Sequence, residues 1–116
     1  MVIKIKVLVL AAGYATRLYP LTENTPKPLL KVGEKTIINH ILTKLETIKD
    51  IKEAYVVTND KFYSIFAEWS KTAKFPFKLK ILNDGTTSNE DRLGAVGDIH
   101  FVIEQEKITD DLLVIA

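Results

Sequence analysis

The sequence predicts an α/β fold, a doubly wound, mostly parallel sheet with helices on both faces. Three observations carry this prediction. Residues 7–12 (Val-Leu-Val-Leu-Ala-Ala) and 112–116 (Leu-Leu-Val-Ile-Ala) are continuously apolar, as strands covered on both faces are. Between them, strand-like and helix-like patterns alternate in the order β, loop, α, β, α, β, α, β, which right-handed crossovers convert into a parallel sheet. A chain of 116 residues, 47% hydrophobic and 27% charged, suffices for one globular domain and is too short for two independent ones.

The first strand spans residues 2–10: Ile3, Ile5 and Val7 alternate before the run becomes continuously apolar. Lys4 and Lys6 ahead of that run imitate a signal peptide. The run stops at Gly13, short of the roughly seven to fifteen residues of a signal core and the ~20 of a membrane span. Residues 11–35, rich in Pro, Thr, Asn and Gly, form a long decorated loop. A helix follows over residues 36–49, with Ile37, Ile38, Ile41, Leu42, Leu45 and Ile48 at helical spacing and Thr36 as its cap. Residues 53–58 read as a strand. Phe62, Ile65, Phe66 and Trp69 line the next helix, which Asn59 or Asp60 caps. Residues 78–82 alternate Lys with Leu and Ile as a strand near a sheet edge. A polar loop leads to a third helix with Leu93, Val96, Ile99, Val102 and Ile103 on one face and a Ser88–Asp91 capping box at its start. Residues 111–116 close the sheet.

Composition excludes several function classes. Sixteen Lys and Arg against fifteen Asp and Glu, mixed along the chain, leave a net charge of +1, so no nucleic-acid footprint is expected. With no cysteine there is no disulfide framework, thiolate nucleophile or sulfur-ligated zinc, and a cytoplasmic location is the expectation. His40 and His100 lie in separate helical patterns without a carboxylate at ligand spacing, and Asp110 and Asp111 open the last strand, at the sheet edge opposite the expected site. No metal ligand is therefore expected in this chain. Phe62, Phe66 and Trp69 read as core, and Lys71, Lys74, Lys78 and Lys80 as a solvated face.

The candidate chemistry lies where the first strand ends. Ala11, Ala12, Gly13, Tyr14, Ala15 and Thr16 are mostly small, so their backbone N–H groups can approach a phosphate chain. The spacing is neither a Walker loop nor G-x-G-x-x-G, and a glycine here reads equally as a plain turn. Arg17 and Lys27 share the loop, the lysine stiffened between Pro26 and Pro28. Two cations beside such a nest suit a triphosphate; a solvated surface pair is the alternative.

The segment from Leu8 through Gly13, Thr16-Arg17-Leu18, Pro20-Leu21-Thr22 and Pro26-Lys27-Pro28-Leu29 resembles the N-terminal signature of the sugar-phosphate nucleotidyltransferases over about twenty consecutive positions. Choline-phosphate cytidylyltransferases of the same Rossmann-like fold share this opening. The resemblance implies transfer of a nucleotidyl group from a nucleoside triphosphate to a sugar 1-phosphate, or alternatively to phosphocholine, with release of pyrophosphate. By position, residues Ala11 to Thr16 would wrap the nucleotide, Arg17 would hold the pyrophosphate portion, Lys27 would bridge the α-phosphate and the incoming phosphate, and Asn83 would read the base. Three departures stand out. Ala15 replaces the second glycine, tolerable if its φ stays negative. Arg92 stands where glycine is usual, which leaves the base open. The first magnesium-binding aspartate of the family follows the fourth strand, beyond Ala116, so Mg2+ is expected only in an intact enzyme, with its ligands outside this chain. Residues 1–116 are thus expected to be the N-terminal nucleotide-binding part of a longer, homo-oligomeric enzyme and to be inactive alone. A non-catalytic nucleotide-binding or assembly domain is the second reading. A dinucleotide-dependent oxidoreductase, with Asp60 on the ribose, is the third.

Overall fold

The computed structural model describes residues 5–116; the expectations for Val2, Ile3 and Lys4 fall outside them. β1 (Ile5–Leu10) runs into 3-10 turns at Thr16–Leu18 and Lys27–Leu29 and a small hairpin of β2 (Lys31–Val32) and β3 (Lys35–Thr36). Then come α1 (Ile37–Leu45), β4 (Ile51–Thr58), α2 (Tyr63–Thr72), β5 (Lys78–Asn83), a 3-10 turn at Asn89–Asp91, α3 (Gly94–Glu106) and β6 (Asp111–Ile115). The main sheet has the order β5-β4-β1-β6 with every neighbouring pair parallel, as the sequence predicts. The long loop resolves into the two turns and the hairpin, the latter enabled by Gly33 at φ 71°.

Side chains of β1 alternate between the two faces. Val7 and Val9 join Ile38, Leu42, Ala54, Val56, Phe62 and Phe66 under α1 and α2. Leu8 joins Tyr55, Val57, Leu82 and Val102 under α3. Two cores on opposite faces explain why the strand sequence is apolar without interruption.

Several boundaries differ from expectation. α1 stops at Leu45 and leaves Ile48 40% exposed, although Thr36 does cap it, accepting from the Asn39 N–H at 3.2 Å. Ile65 faces solvent; Phe62 and Phe66 carry the burial. The Ser88–Asp91 capping box forms but closes the Asn89–Asp91 turn, and α3 begins only at Gly94, whose φ is 77°. That displacement changes which face is buried: Asp98 and Val102 point inward, whereas Val96 is 81% exposed. β6 lies at a sheet edge, where helices cover it incompletely, so Leu113 and Val114 are partly exposed rather than buried on both faces.

Candidate functional site

The connection from β1 leads towards β4 on one side, and the chain returns to place β6 on the other. The crevice outside the carboxyl ends of β1 and β6 is therefore the topological switch point, where open α/β sheets hold ligands. A cleft of about 430 Å³ adjoins it at Gly13. One wall is the backbone of Gly13 to Leu18 with Lys27; the other is Asn89 and Arg92. A hollow of about 210 Å³ continues between Ala12, Gly13, Arg92, Gly94, Asp98 and Ala116. Another, of about 380 Å³, continues between Ala11, Ala15, Lys27, Pro28 and Ile41. All three meet at Gly13, where a Cβ would touch nothing within 4 Å. The open space lies over the backbone itself.

The turn that makes this wall is pinned at several residues. The Ala11 N–H extends the sheet to the Val57 carbonyl at 2.8 Å. Buried Asn59 donates to the Ala12 carbonyl at 2.9 Å, while its Oδ1 accepts from the Phe62 N–H at 3.0 Å ahead of α2. The Tyr14 ring packs into the core beside Phe62, with its hydroxyl 3.3 Å from that of Thr86. The fully buried Thr22 hydroxyl donates to the Ala15 carbonyl at 2.7 Å. These bonds hold Ala15 at φ 47° and ψ 47°, the left-handed region. The condition of a negative φ is not met: alanine occupies a glycine conformation, and Thr22 and the Leu18 N–H, 3.0 Å from the same carbonyl, fix the turn.

The residues singled out from sequence separate accordingly. Gly13, Tyr14, Ala15, Thr16, Arg17 and Lys27 share the main cleft, with the Tyr14 side chain turned away into the core. Ala11 and Ala12 are buried and line the adjoining hollows, but the Ala11 N–H and the Ala12 carbonyl are already bonded. Asn83 lines none of these three clefts: its Nδ2 donates to Asp60 at 2.9 Å and its Oδ1 accepts from the Gly85 N–H at 2.8 Å, a self-contained turn. Lys27 opens a 3-10 turn behind buried Pro26, so the two prolines fix its backbone as expected. Sequence reasoning read Asn59 only as a helix cap, which its bond to the Phe62 N–H bears out, and gave no role in the site to Thr22 or Thr86; the bonds of these three residues to the turn span 7 to 72 residues.

The cleft is electropositive. Among the described residues, the ion pairs involve Lys6, Lys71 and Lys80, and no carboxylate lies within 4.0 Å of Arg17, Lys27 or Arg92. One acid borders the adjoining hollow. Asp98 is 6% exposed, and burial, reinforced by the neighbouring Asp84 carboxylate, pushes its carboxyl up to about 8. Among the described residues no three His, Cys, Asp or Glu side chains gather as a metal site. His40 Nε2 lies 2.9 Å from the Val32 carbonyl, and Asp110 lies 3.8 Å from Lys6 Nζ at the far end of the sheet. Cations, backbone groups and one protonated carboxyl do not suit a divalent ion, so no step is routed through one.

A cleft beside the switch point, with an open glycine turn and cations that no carboxylate neutralises, has the charge and shape that suit a phosphorylated ligand. Residues 6–116 match the nucleotidyl transferase family, and the chain belongs to that family. It is 34% identical over 79 residues to the bifunctional protein GlmU of Methanococcus maripaludis, covering 68% of this chain and 19% of that protein. It is 30% identical over 112 residues to a putative mannose-1-phosphate guanyltransferase of Sulfolobus acidocaldarius, covering 96% and 29% respectively. The solved CTP:phosphocholine cytidylyltransferase of Streptococcus pneumoniae superposes with a TM-score of 0.67 at 30% identity, over 89% of this chain and 41% of that one. The chain thus spans less than half of each of these relatives. Among the described residues, no helix is long and apolar enough to cross a membrane.

Proposed function

We propose that this chain supplies the nucleotide-binding part of an enzyme that transfers a nucleotidyl group from a nucleoside triphosphate to a sugar 1-phosphate. The carrying observation is that Arg17 and Lys27, ten positions apart, line one cleft with the open backbone at Gly13. A phosphomonoester oxygen attacks the α-phosphorus; the new P–O bond forms as the bond to the β-phosphate oxygen breaks, and pyrophosphate leaves. The nucleophile is already an anion, so no general base is needed, and catalysis consists of positioning and charge neutralisation. Arg17 neutralises the departing pyrophosphate, and Lys27 holds the α-phosphate against the incoming one. The family's Mg2+ would add charge neutralisation, but the cleft residues here give it no ligand set. Phosphocholine is the second acceptor, favoured by the likeness to the streptococcal cytidylyltransferase.

The test is titration of the chain with nucleoside triphosphates, followed by a pyrophosphate-release assay on a protein that contains it, with sugar 1-phosphates and phosphocholine in parallel. Triphosphate binding that Lys27→Ala weakens at least tenfold is expected. Absence of binding, or binding indifferent to Lys27→Ala, overturns the proposal, and release with phosphocholine alone reassigns the acceptor.

A further inference from the structure

The wall of the cleft facing Arg17 and Lys27 carries a third cation whose placement is built, not incidental. Arg92 follows the Asn89–Asp91 turn, and its guanidinium donates to the Asn89 carbonyl at 2.6 Å, which ties the side chain back over the turn. The acid next to it in the chain, Asp91, is otherwise engaged. The Asp91 carboxylate accepts from the backbone N–H groups of Thr87 and Ser88 and from both their hydroxyls, and these bonds hold its pKa below the usual carboxylate range. Arg92 therefore stands exposed, with no carboxylate within 4.0 Å among the described residues, at the junction of the main cleft and its smaller neighbour.

Arg92 shares one cleft with Arg17 and Lys27. An uncharged base edge would accept hydrogen bonds from Arg92 without meeting its charge, whereas a polyphosphate meets the charge of all three. Building on the proposed triphosphate site, we infer that Arg92 is a phosphate-binding residue: it grips the triphosphate from the β5–α3 side, opposite Arg17 and Lys27, and does not read the base.

The experiment is calorimetric titration of the whole chain, wild type and Arg92→Gln, Arg92→Lys and Arg17→Gln, with ATP, CTP, GTP, UTP and inorganic tripolyphosphate. Thermal melts establish that each variant is folded. Arg92→Gln is expected to weaken all four nucleotides and tripolyphosphate alike, by about tenfold for one charge-assisted contact. Arg92→Lys should recover most of the loss. Weakening confined to one nucleotide, with tripolyphosphate unaffected, overturns the inference in favour of base reading, and no weakening overturns it outright. If Arg17→Gln weakens binding while Arg92→Gln does not, the proposed function stands and only the role of Arg92 falls. If wild type binds neither nucleotide nor tripolyphosphate, both fall.

Discussion

Ala15 shows how one residue reconciles a strained backbone with a binding wall. Left-handed conformation costs a residue with a Cβ about 1–2 kcal/mol, whereas glycine enters it freely at an entropic cost of roughly 0.5–1 kcal/mol. The strain is sustained by two hydrogen bonds to the Ala15 carbonyl, from the buried Thr22 hydroxyl and from the Leu18 N–H. Ala15→Gly should therefore stabilise the chain by somewhat under 1 kcal/mol, a rise of a few degrees in Tm on the order expected for a domain this size. The same variant should bind triphosphate at least as tightly, because the backbone keeps its course and the wall loses a methyl group. A melting temperature that falls would mean that the methyl group packs favourably enough to outweigh the torsional cost.

At the scale of elements, α3 shows both what the sequence reveals and what it conceals. Its existence is legible because apolar residues recur at helical spacing between two turn signals. Its phase is not: the Ser88–Asp91 pair looks like a helix start yet closes a separate turn, and the helix begins beyond Arg92, where Gly94 takes a positive φ. Hydrophobicity then picks Val96 and Ile103 for the core, while the structure buries Asp98. β1 is legible for a different reason: buried on both faces, it is apolar without interruption, and its recognition needs no phase. In the site, the cluster from Gly13 to Lys27 is legible because it lies on one loop. The bonds from Asn59 and Thr86 that shape it span 47 and 72 residues and leave no trace in local pattern, while that from Thr22 closes the same loop. The buried carboxyl has a measurable consequence. Its value of about 8 in the fold against 3.8 ordinarily means that, between those pH values, the native state keeps a proton the unfolded chain has lost. Its contribution to stability is therefore fullest below pH ~4 and is lost as pH rises towards 8. Asp98→Asn keeps the shape, offers Asp84 a permanent donor, and should flatten this decline, raising Tm at pH 8 by several degrees while changing it little at pH 4. Melts of both proteins across that range check it; parallel pH profiles would count against a protonated carboxyl.

Over the whole molecule, the strand order that creates the switch-point cleft also leaves two sheet edges of unequal character. β5 is one edge, and its outward positions include Lys78 and Lys80, the latter bonded to Glu106 at 2.8 Å; charges of this kind discourage another strand from pairing there. β6 is the other, and beyond Asp111 it offers only Leu112, Leu113, Val114 and Ile115, with Leu113 and Val114 more than a third exposed. No charge guards that stretch, so strand-to-strand pairing between copies is favoured at β6 and not at β5. The chain at high concentration should sediment as a mixture of monomer and dimer that shifts with dilution. Leu113→Lys, placing a charge at an exposed position of the β6 edge, should return it to monomer without a large loss of melting temperature, whereas Lys80→Leu at the opposite edge should add association where there was none. A wild-type chain that sediments as a single monomer at every concentration would show that the twist and shortness of β6 protect that edge without help.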